Sequence, residues 1–445
     1  MSARIPVSVP VGARRRTSRW PLGRTTVGLS RRHKTFVKFF LLAGLALFFV
    51  LSWYLTERSG WSMSDARTAM FENEVRLSLY ASPPQLGAEP RPPKRLVFLR
   101  LFKGKDSFQC DLENLFGNDI EAQYYAEILH DYERLSVDRA EDLGPNDNVD
   151  VLAFSIHSHS VKEVMKLIRK HKPSVLIVNS DEHGNLPKYE KLFPFVRLVY
   201  RQYRYKTGTR GYRNPPNQRI MPIGYHCWDE KAKSDKPLSE RKYVWSFIGT
   251  IATDENINRI RLINLVARFV MGAYRKQIQR YEMVRELSKS GLDPHFAGST
   301  LATSPEERAE KNFEVFRESK FVVCPRGNSN IDTSRTYTAS KTGGIPVVIV
   351  PREDWDEFYA HMDIEPPWPR ADDTAGAVRI MRNLTEGPAE RLNQMQRDVL
   401  HWWDALNVEI RKNIDESVNY CRDFWQRAKE LGVPTQDMLC RPPPS

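Results

Sequence analysis

The sequence predicts an α/β protein with two Rossmann-like lobes facing a cleft and a transmembrane helix near the N-terminus. Short apolar runs alternate with helical patterns from Lys94 onward, and the polar stretch 228–240 divides this alternation into two successive series. Such alternation is typical of parallel sheets covered by helices, one sheet for each series. The transmembrane helix is predicted because residues 39–55 form a run of seventeen residues without a charged side chain.

The first series is expected to form a parallel sheet with helical crossovers. It predicts, in order, strand 95–102, helix 122–135, strand 149–155, helix 161–170 and strands 174–178, 195–200 and 219–223. The apolar runs are four to eight residues long, and the helical stretches between them have a period near 3.6.

The second series repeats the pattern after the break. It predicts strand 243–248, helix 255–273, strand 294–297, helix 305–318, strand 320–324, helix 334–341, strand 345–350 and a largely helical region over 374–431. We expect the bulky side chains Trp402, Trp403, Phe424 and Trp425 to pack these last helices against the body of the protein.

The N-terminal region is that of a membrane anchor. At about 1.5 Å per residue the run 39–55 is near the lower limit for crossing a bilayer core, and Trp53 and Tyr54 suit the membrane interface. The basic residues before it predict a cytosolic N-terminus. A cleaved signal peptide is the alternative, although the basic region is long for one. The predicted segments are a cytosolic tail 1–38, an anchor 39–55, a stem 56–93, an N-terminal lobe 94–228, a C-terminal lobe 240–385 and a helical segment 386–445.

The net charge gives no reason to expect a nucleic-acid partner. The chain has a formal charge of +12, but ten basic and no acidic residues fall in residues 1–38, which leaves +2 for the rest. Five cysteines follow the anchor, and their pairing cannot be read from the sequence. The triplet Asn383-Leu384-Thr385 is a candidate glycosylation site.

The segment 321–350, FVVCPRGNSNIDTSRTYTASKTGGIPVVIV, has the form of an anion-binding site. It predicts a buried strand, a polar loop with Gly327, and a helix that starts at Ser334 and is followed by another buried strand. Free backbone N–H groups and the positive end of a helix dipole suit phosphates. Arg326 and Arg335 can add charge-assisted hydrogen bonds to a diphosphate. Asn328, Ser334 and Thr338 are candidates for contacts with ribose or sugar hydroxyls.

The amino-acid sequence of this segment resembles the nucleotide-sugar-binding region of the exostosin-type glycosyltransferases (glycosyltransferase family 47). The matching residues are Cys324-Pro325-Arg326-Gly327, Arg335 and Gly343-Gly344-Ile345-Pro346-Val347-Val348, and the chain is most similar to the ribitol xylosyltransferase branch. Further support comes from Ser246-Phe247-Ile248-Gly249-Thr250-Ile251 with Arg259 downstream, from Met221-Pro222-Ile223-Gly224, and from the loop 179–185.

The resemblance implies a GT-B fold and an inverting transfer from a UDP-sugar to a glycan or glycoprotein. The N-terminal lobe would then bind the acceptor, and the C-terminal lobe the donor, with Gly249, Thr250 and Arg259 beside it. It also implies a type II protein of the Golgi membrane, with its catalytic domain in the lumen. Where the family usually has an acidic residue three positions after the helix arginine, this chain has Thr338, which leaves a binding-only relative as the alternative.

An inverting transfer needs a base that takes the proton of the acceptor hydroxyl. The loop after strand 174–178 offers Asp181, Glu182 and His183, and Glu182 is favoured because the resemblance includes it. A solvated acidic loop is the open alternative. No metal is expected to be required, because an Asp-x-Asp motif, the manganese-binding signature of the other main glycosyltransferase fold, is not expected in this chain. The pair His157 and His159 lacks a third ligand.

Overall fold

The computed structural model describes only part of the chain. All of the described residues belong to the compact unit Arg76–Ser445. They are residues 92–99, 124–125, 127–137, 139–144, 147–156, 159–179, 187–202, 215–224, 234–249, 251, 272–298, 305–327, 331–432 and 439–440.

The first lobe is built on a six-stranded parallel sheet. Its strands are β1 Arg95–Leu99, β2 Glu133–Val137, β3 Val151–Ser155, β4 Val175–Asn179, β5 Leu198–Arg201 and β6 Gln218–Ile220. They lie in the order β2-β1-β3-β4-β5-β6, and every neighbouring pair is parallel. Every residue of β3 and of β4 is buried, as expected for central strands covered on both faces.

The second lobe is built on a five-stranded parallel sheet. Its strands are β7 Tyr243–Ile248, β8 His295–Gly298, β9 Ser319–Pro325, β10 Ile345–Ile349 and β11 Arg370–Ala371. They lie in the order β11-β10-β9-β7-β8, again with parallel pairing throughout. The strand order reverses between β7 and β9, so a topological switch point lies between these two paired strands.

Helices connect and cover the two sheets. They are α1 Val161–His171, α2 Gly272–Ser288, α3 Pro305–Arg317, α4 Ser334–Lys341, α5 Arg352–Glu357, α6 Thr374–Glu386 and α7 Ala389–Glu430. Short 3₁₀ helices cover Ala140–Asp142, Pro187–Phe195, Leu238–Glu240 and Tyr359–His361. Helix α1 begins where its sequence predicts, because the Ser160 side chain accepts a hydrogen bond from the Glu163 N–H and the Glu163 carboxylate accepts one from the Ser160 N–H.

The long helix α7 packs against both lobes. Its side chains Trp402, Trp403 and Phe424 are buried, which confirms their predicted packing. Trp425 is half-buried beneath the ammonium group of Lys172, which lies 4.7 Å from the ring centroid. One buried cluster includes Phe98 of the first sheet, Val322 of the second and Trp403 of α7. The hydrophobic core is therefore continuous from one lobe to the other.

A buried ion pair and a disulfide bond attach the end of α7 to the first lobe. Arg422 donates from Nε to Asp150 Oδ1 at 2.8 Å and from Nη2 to Oδ2 at 2.6 Å. Cys421 is bonded to Cys440, and the neighbouring Leu439 is buried among side chains of the first lobe.

The helix predicted over 122–135 is wrong in its second half, which forms β2. Tyr124, Tyr125, Glu127 and Ile128 are helical, but Glu133–Val137 pairs with β1. The Arg95 guanidinium in β1 donates to both oxygens of the Glu133 carboxylate, at 3.0 and 2.9 Å. The packing of a strand against its neighbour, which decides its formation, is not contained in the local residue pattern.

The predicted tail, anchor and most of the stem lie outside the described residues, as does most of the helix predicted over 255–273. In the part of the chain that the structure describes, no helix is both long enough and apolar enough to cross a membrane.

Candidate functional site

The carboxyl ends of β7 and β9 form the candidate site of the second lobe. Strand β7 ends at Ile248 and is followed by Gly249, and β9 ends at Pro325. Helix α4 begins beyond β9 at Ser334. Ligands of open α/β sheets bind in the crevice outside the carboxyl ends of the strands where the strand order reverses. The predicted anion-binding segment 321–350 therefore lies at the expected place in the sheet.

The Arg335 side chain extends from α4 to the end of β7, across this switch point. Its Nε donates to the Ile248 carbonyl oxygen at 2.8 Å, and its guanidinium carbon lies 4.6 Å from the centroid of the Phe247 ring. Its Nη1 atom is inaccessible to solvent and has no hydrogen-bond partner among the residues that the structure describes. Burial lowers the pKa of Arg335 to about 10, with a further contribution from the positive charge of Arg280. The side chain is therefore a fixed cation with unused hydrogen-bonding capacity.

Gly249 makes room for this guanidinium. A Cβ at this position would lie 2.8 Å from Nη2 of Arg335 and 3.1 Å from Cζ of Phe247. Both distances are shorter than ordinary van der Waals contacts. A side chain at this position would therefore displace the guanidinium or the ring.

Arg280 of α2 is a second buried cation at the site, and the sequence analysis did not identify it. Its side chain is 7% exposed, and its Nη2 donates to the carbonyl oxygen of Arg326 at 3.2 Å. Its Nε is buried and has no partner in the described part of the chain, and burial lowers the pKa of the Arg280 guanidinium. The helix was predicted to end near residue 273, so nothing in the sequence placed Arg280 beside the strand ends.

Arg326, unlike Arg335 and Arg280, forms an ion pair with a carboxylate among the described residues. Its Nη1 forms an ion pair with Asp354 of α5, whose side chain is 4% exposed. Asp354-Trp355-Asp356 is an Asp-x-Asp triplet, so the expectation that the chain has none is wrong, and Asp356 is paired with Arg352. Among the described residues, no group of three or more His, Cys, Asp and Glu side chains is placed to hold a metal ion.

The other described candidates lie on the same strand–loop–helix unit. Gly327 is buried after β9, and Ser334 is half-buried as the first residue of α4. The hydroxyl of Thr338 donates to the Ser334 carbonyl oxygen at 2.9 Å, and the side chain is 8% exposed. Beneath them lies Cys324, a free thiol whose pKa burial raises to about 12.

The remaining predicted site residues lie outside the described residues. They are Asp181, Glu182, His183, Asn328, Thr250 and Arg259. The last described residue before the acidic loop is Asn179, at the carboxyl end of β4. Its side chain is 1% exposed, and neither its Nδ2 nor its Oδ1 atom has a hydrogen-bond partner within the described ranges.

Comparison of the sequence with protein families and with curated proteins finds no match. Several solved structures are similar in fold at low identity. An alpha-glucosyltransferase in complex with UDP-glucose and DNA containing an abasic site is 12% identical, with 70% of this chain and 95% of that chain covered and a TM-score of 0.38. Anabaena HepE in complex with UDP and glucose is 11% identical, with 74% and 100% covered and a TM-score of 0.38. The N-terminal domain of Candida albicans trehalose-6-phosphate phosphatase is 7% identical, with 78% and 100% covered and a TM-score of 0.37. Because these TM-scores are below 0.5, the interpretation of the site rests on its own geometry.

Proposed function

We propose that this protein is a glycosyltransferase of the GT-B type that uses a nucleotide-sugar donor, bound at the switch point between β7 and β9. The observation that carries the proposal is Arg335, a half-buried cation whose solvent-inaccessible Nη1 has no hydrogen-bond partner, and which pairs with no carboxylate, in the described part of the chain. An uncompensated buried charge is unfavourable, and an anionic ligand would compensate it. The diphosphate of a nucleotide sugar is such an anion.

The surrounding backbone supports a phosphate ligand. Arg335 is the second residue of α4, so its side chain and the N-terminus of the helix belong to one site. Helix N-termini favour anions. The position of Arg335 at a helix N-terminus, together with the exostosin-type sequence motif of residues 321–348, supports UDP as the nucleotide and an inverting transfer as the reaction.

In the proposed reaction, the oxygen of an acceptor hydroxyl attacks the anomeric carbon of the donor sugar. The bond between that carbon and the diphosphate oxygen breaks, and its electron pair leaves with UDP. The acceptor's proton passes to a base in the loop after β4, for which we propose Glu182, with Asp181 and His183 as the other candidates. Arg335 stabilises the negative charge that develops on the leaving diphosphate. The proposal needs no metal.

For the cellular setting, we propose a type II protein of the Golgi membrane that acts on a glycan or glycoprotein. The uncharged run 39–55 behind a basic tail supports the topology. The disulfide between Cys421 and Cys440 supports an oxidising compartment for the catalytic domain.

A binding-only relative remains the competing function because of Thr338. A hydroxyl that donates to the helix backbone can accept a hydrogen bond from a ligand, but it cannot act as a charged bidentate acceptor. The two functions differ in turnover, whereas both predict nucleotide binding.

The test is UDP release by the full chain, purified in detergent, with a panel of UDP-sugars and glycan acceptors. Arg335→Ala is the test variant and Arg285→Ala, an exposed arginine on α2, the matched control. We expect turnover with one donor, and a loss of about 10- to 100-fold in Arg335→Ala from the removed charge-assisted hydrogen bond. Binding of UDP without turnover would favour the binding-only relative. A wild-type chain that binds no nucleotide would contradict both.

A further inference from the structure

We propose that Arg280 is the second cation of the donor site, and that Arg280 and Arg335 together bind the two phosphate groups of a nucleoside diphosphate. The site would then select diphosphate-linked sugars over donors linked through one phosphate. This inference rests on the proposed function and specifies its donor class. It also replaces Arg326, the second arginine that the sequence predicts for the diphosphate, as the main partner of Arg335.

The charge pairing of the three arginines supports this choice. Arg326 is partly exposed, and the buried carboxylate of Asp354 already neutralises it. Arg280 and Arg335 have no carboxylate partner within the residues that the structure describes. A diphosphate that bound at Arg326 would compete with an internal ion pair, whereas one that bound between Arg280 and Arg335 would not.

The two guanidinium groups are anchored at neighbouring strand ends. Arg335 donates to the carbonyl oxygen of Ile248, the last residue of β7. Arg280 donates to the carbonyl oxygen of Arg326, the residue after β9. These strands are paired, and paired strands lie about 4.8 Å apart. The two cations thus flank the crevice at the switch point, one from each strand.

Their unused donors point to a shared ligand. Among the described residues, each guanidinium donates one hydrogen bond to a main-chain carbonyl, and each keeps a buried nitrogen without a partner, Nη1 of Arg335 and Nε of Arg280. The charge of Arg280 also contributes to the lowered pKa of Arg335, so the two cations are close enough to repel each other. A buried cation and a half-buried one that repel each other, with no carboxylate partner among the described residues, are unfavourable without a ligand, and a polyanion between them removes both penalties.

The number of phosphate groups in the ligand determines the expected selectivity of the site for nucleoside diphosphates over monophosphates. A nucleoside diphosphate places two adjacent phosphate groups in the crevice, one for each guanidinium fork. A nucleoside monophosphate binds only one guanidinium group at a time. The second arginine should therefore contribute to the affinity for UDP and little to the affinity for UMP.

The test measures the binding of UDP, UMP and uridine by calorimetry with the full chain in detergent. Arg280→Met removes the charge and keeps most of the apolar length, Arg280→Lys keeps the charge without the fork, and Arg285→Ala is the control on the same helix. We expect Arg280→Met to lose about 10- to 100-fold in UDP affinity, with UMP and uridine almost unchanged. Arg280→Lys should lie between, and the control should match the wild type.

Thermal unfolding without ligand separates this role from a merely structural one. Removal of an uncompensated buried cation should leave the apo protein as stable as the wild type or more stable, while the stabilisation by UDP decreases. Arg280→Met with an unchanged ratio of UDP to UMP affinity would overturn the inference and leave the proposed function standing. A wild-type chain that binds UMP as tightly as UDP would also overturn it. A wild-type chain that binds no nucleotide would instead overturn the proposed function.

Discussion

Substitution of Gly249 by alanine tests the position of the Arg335 guanidinium without straining the backbone. The added Cβ would lie 2.8 Å from Nη2 of Arg335, and ordinary contact begins at 3.4 Å. The guanidinium must therefore move by about 0.6 Å or more. If the hydrogen bond from Nε to Ile248, now 2.8 Å long, lengthens by that amount, it approaches the limit of useful geometry. Gly249 does not have a positive φ, so backbone strain adds nothing to this effect.

The expected magnitude follows from the affected hydrogen bonds. A hydrogen bond to a charged group contributes about 1.5–3 kcal/mol, so Gly249→Ala should weaken UDP binding by about 10- to 100-fold. The assay is calorimetric titration of the full chain with UDP, beside Arg335→Ala. If Gly249 acts only through Arg335, the double variant should bind no more weakly than Arg335→Ala alone.

Gly344→Ala provides the steric control. The nearest atom to a Cβ at this position is Cγ2 of Val322 at 3.4 Å, an ordinary contact, so UDP affinity should equal that of the wild type. Wild-type affinity in Gly249→Ala would refute the reasoning, because the close approach of Arg335 would then have no part in ligand binding. Additive losses in the double variant would show that the two residues act separately.

Two further predictions concern buried groups outside the donor contacts. Asp150→Ala leaves Arg422 without its bidentate partner in a buried position and should lower the free energy of unfolding by about 3–5 kcal/mol, measured by urea denaturation. Burial raises the pKa of the Cys324 thiol from its ordinary 9.0 to about 12, so the folded state holds this proton more tightly than the unfolded state does. The resulting stability is complete below pH 9 and is lost as the pH rises towards about 12. Iodoacetamide at pH 8 should therefore label Cys324 only after unfolding, as peptide mapping would show.

Each of these has its own control. Asp356→Ala breaks the exposed pair with Arg352 and should change the free energy of unfolding by less than about 1 kcal/mol. A loss for Asp150→Ala no larger than this would show that the end of α7 is not held by its ion pair. Labelling of Cys324 in the folded protein at the rate of the unfolded chain would contradict its burial.

The local pattern of the chain was sufficient for most of the secondary structure. Strand 243–248 and helix 334–341 have the predicted bounds, and most other strands agree within a few residues. The predictions succeed here because strands buried on both faces are continuous apolar runs, and a run of this kind is visible without knowledge of its neighbours. Strand β2 was missed because its residues are mostly half-buried at the sheet edge, where pairing with β1 decides the conformation.

The position of the candidate site was likewise contained in the sequence, since strand, loop and helix follow one another in residues 321–350. The pairing of the charged side chains at this site could not be predicted from the sequence. Only the tertiary structure paired Arg326 with Asp354 and brought Arg280 beside Arg335, because these contacts join residues from different elements whose approach is decided by packing. The partner of Cys421 was decided in the same way. The sequence by itself determined which segments form the two sheets and which segment is the candidate anion site, whereas the fold decided which of its arginines lack a carboxylate partner among the described residues.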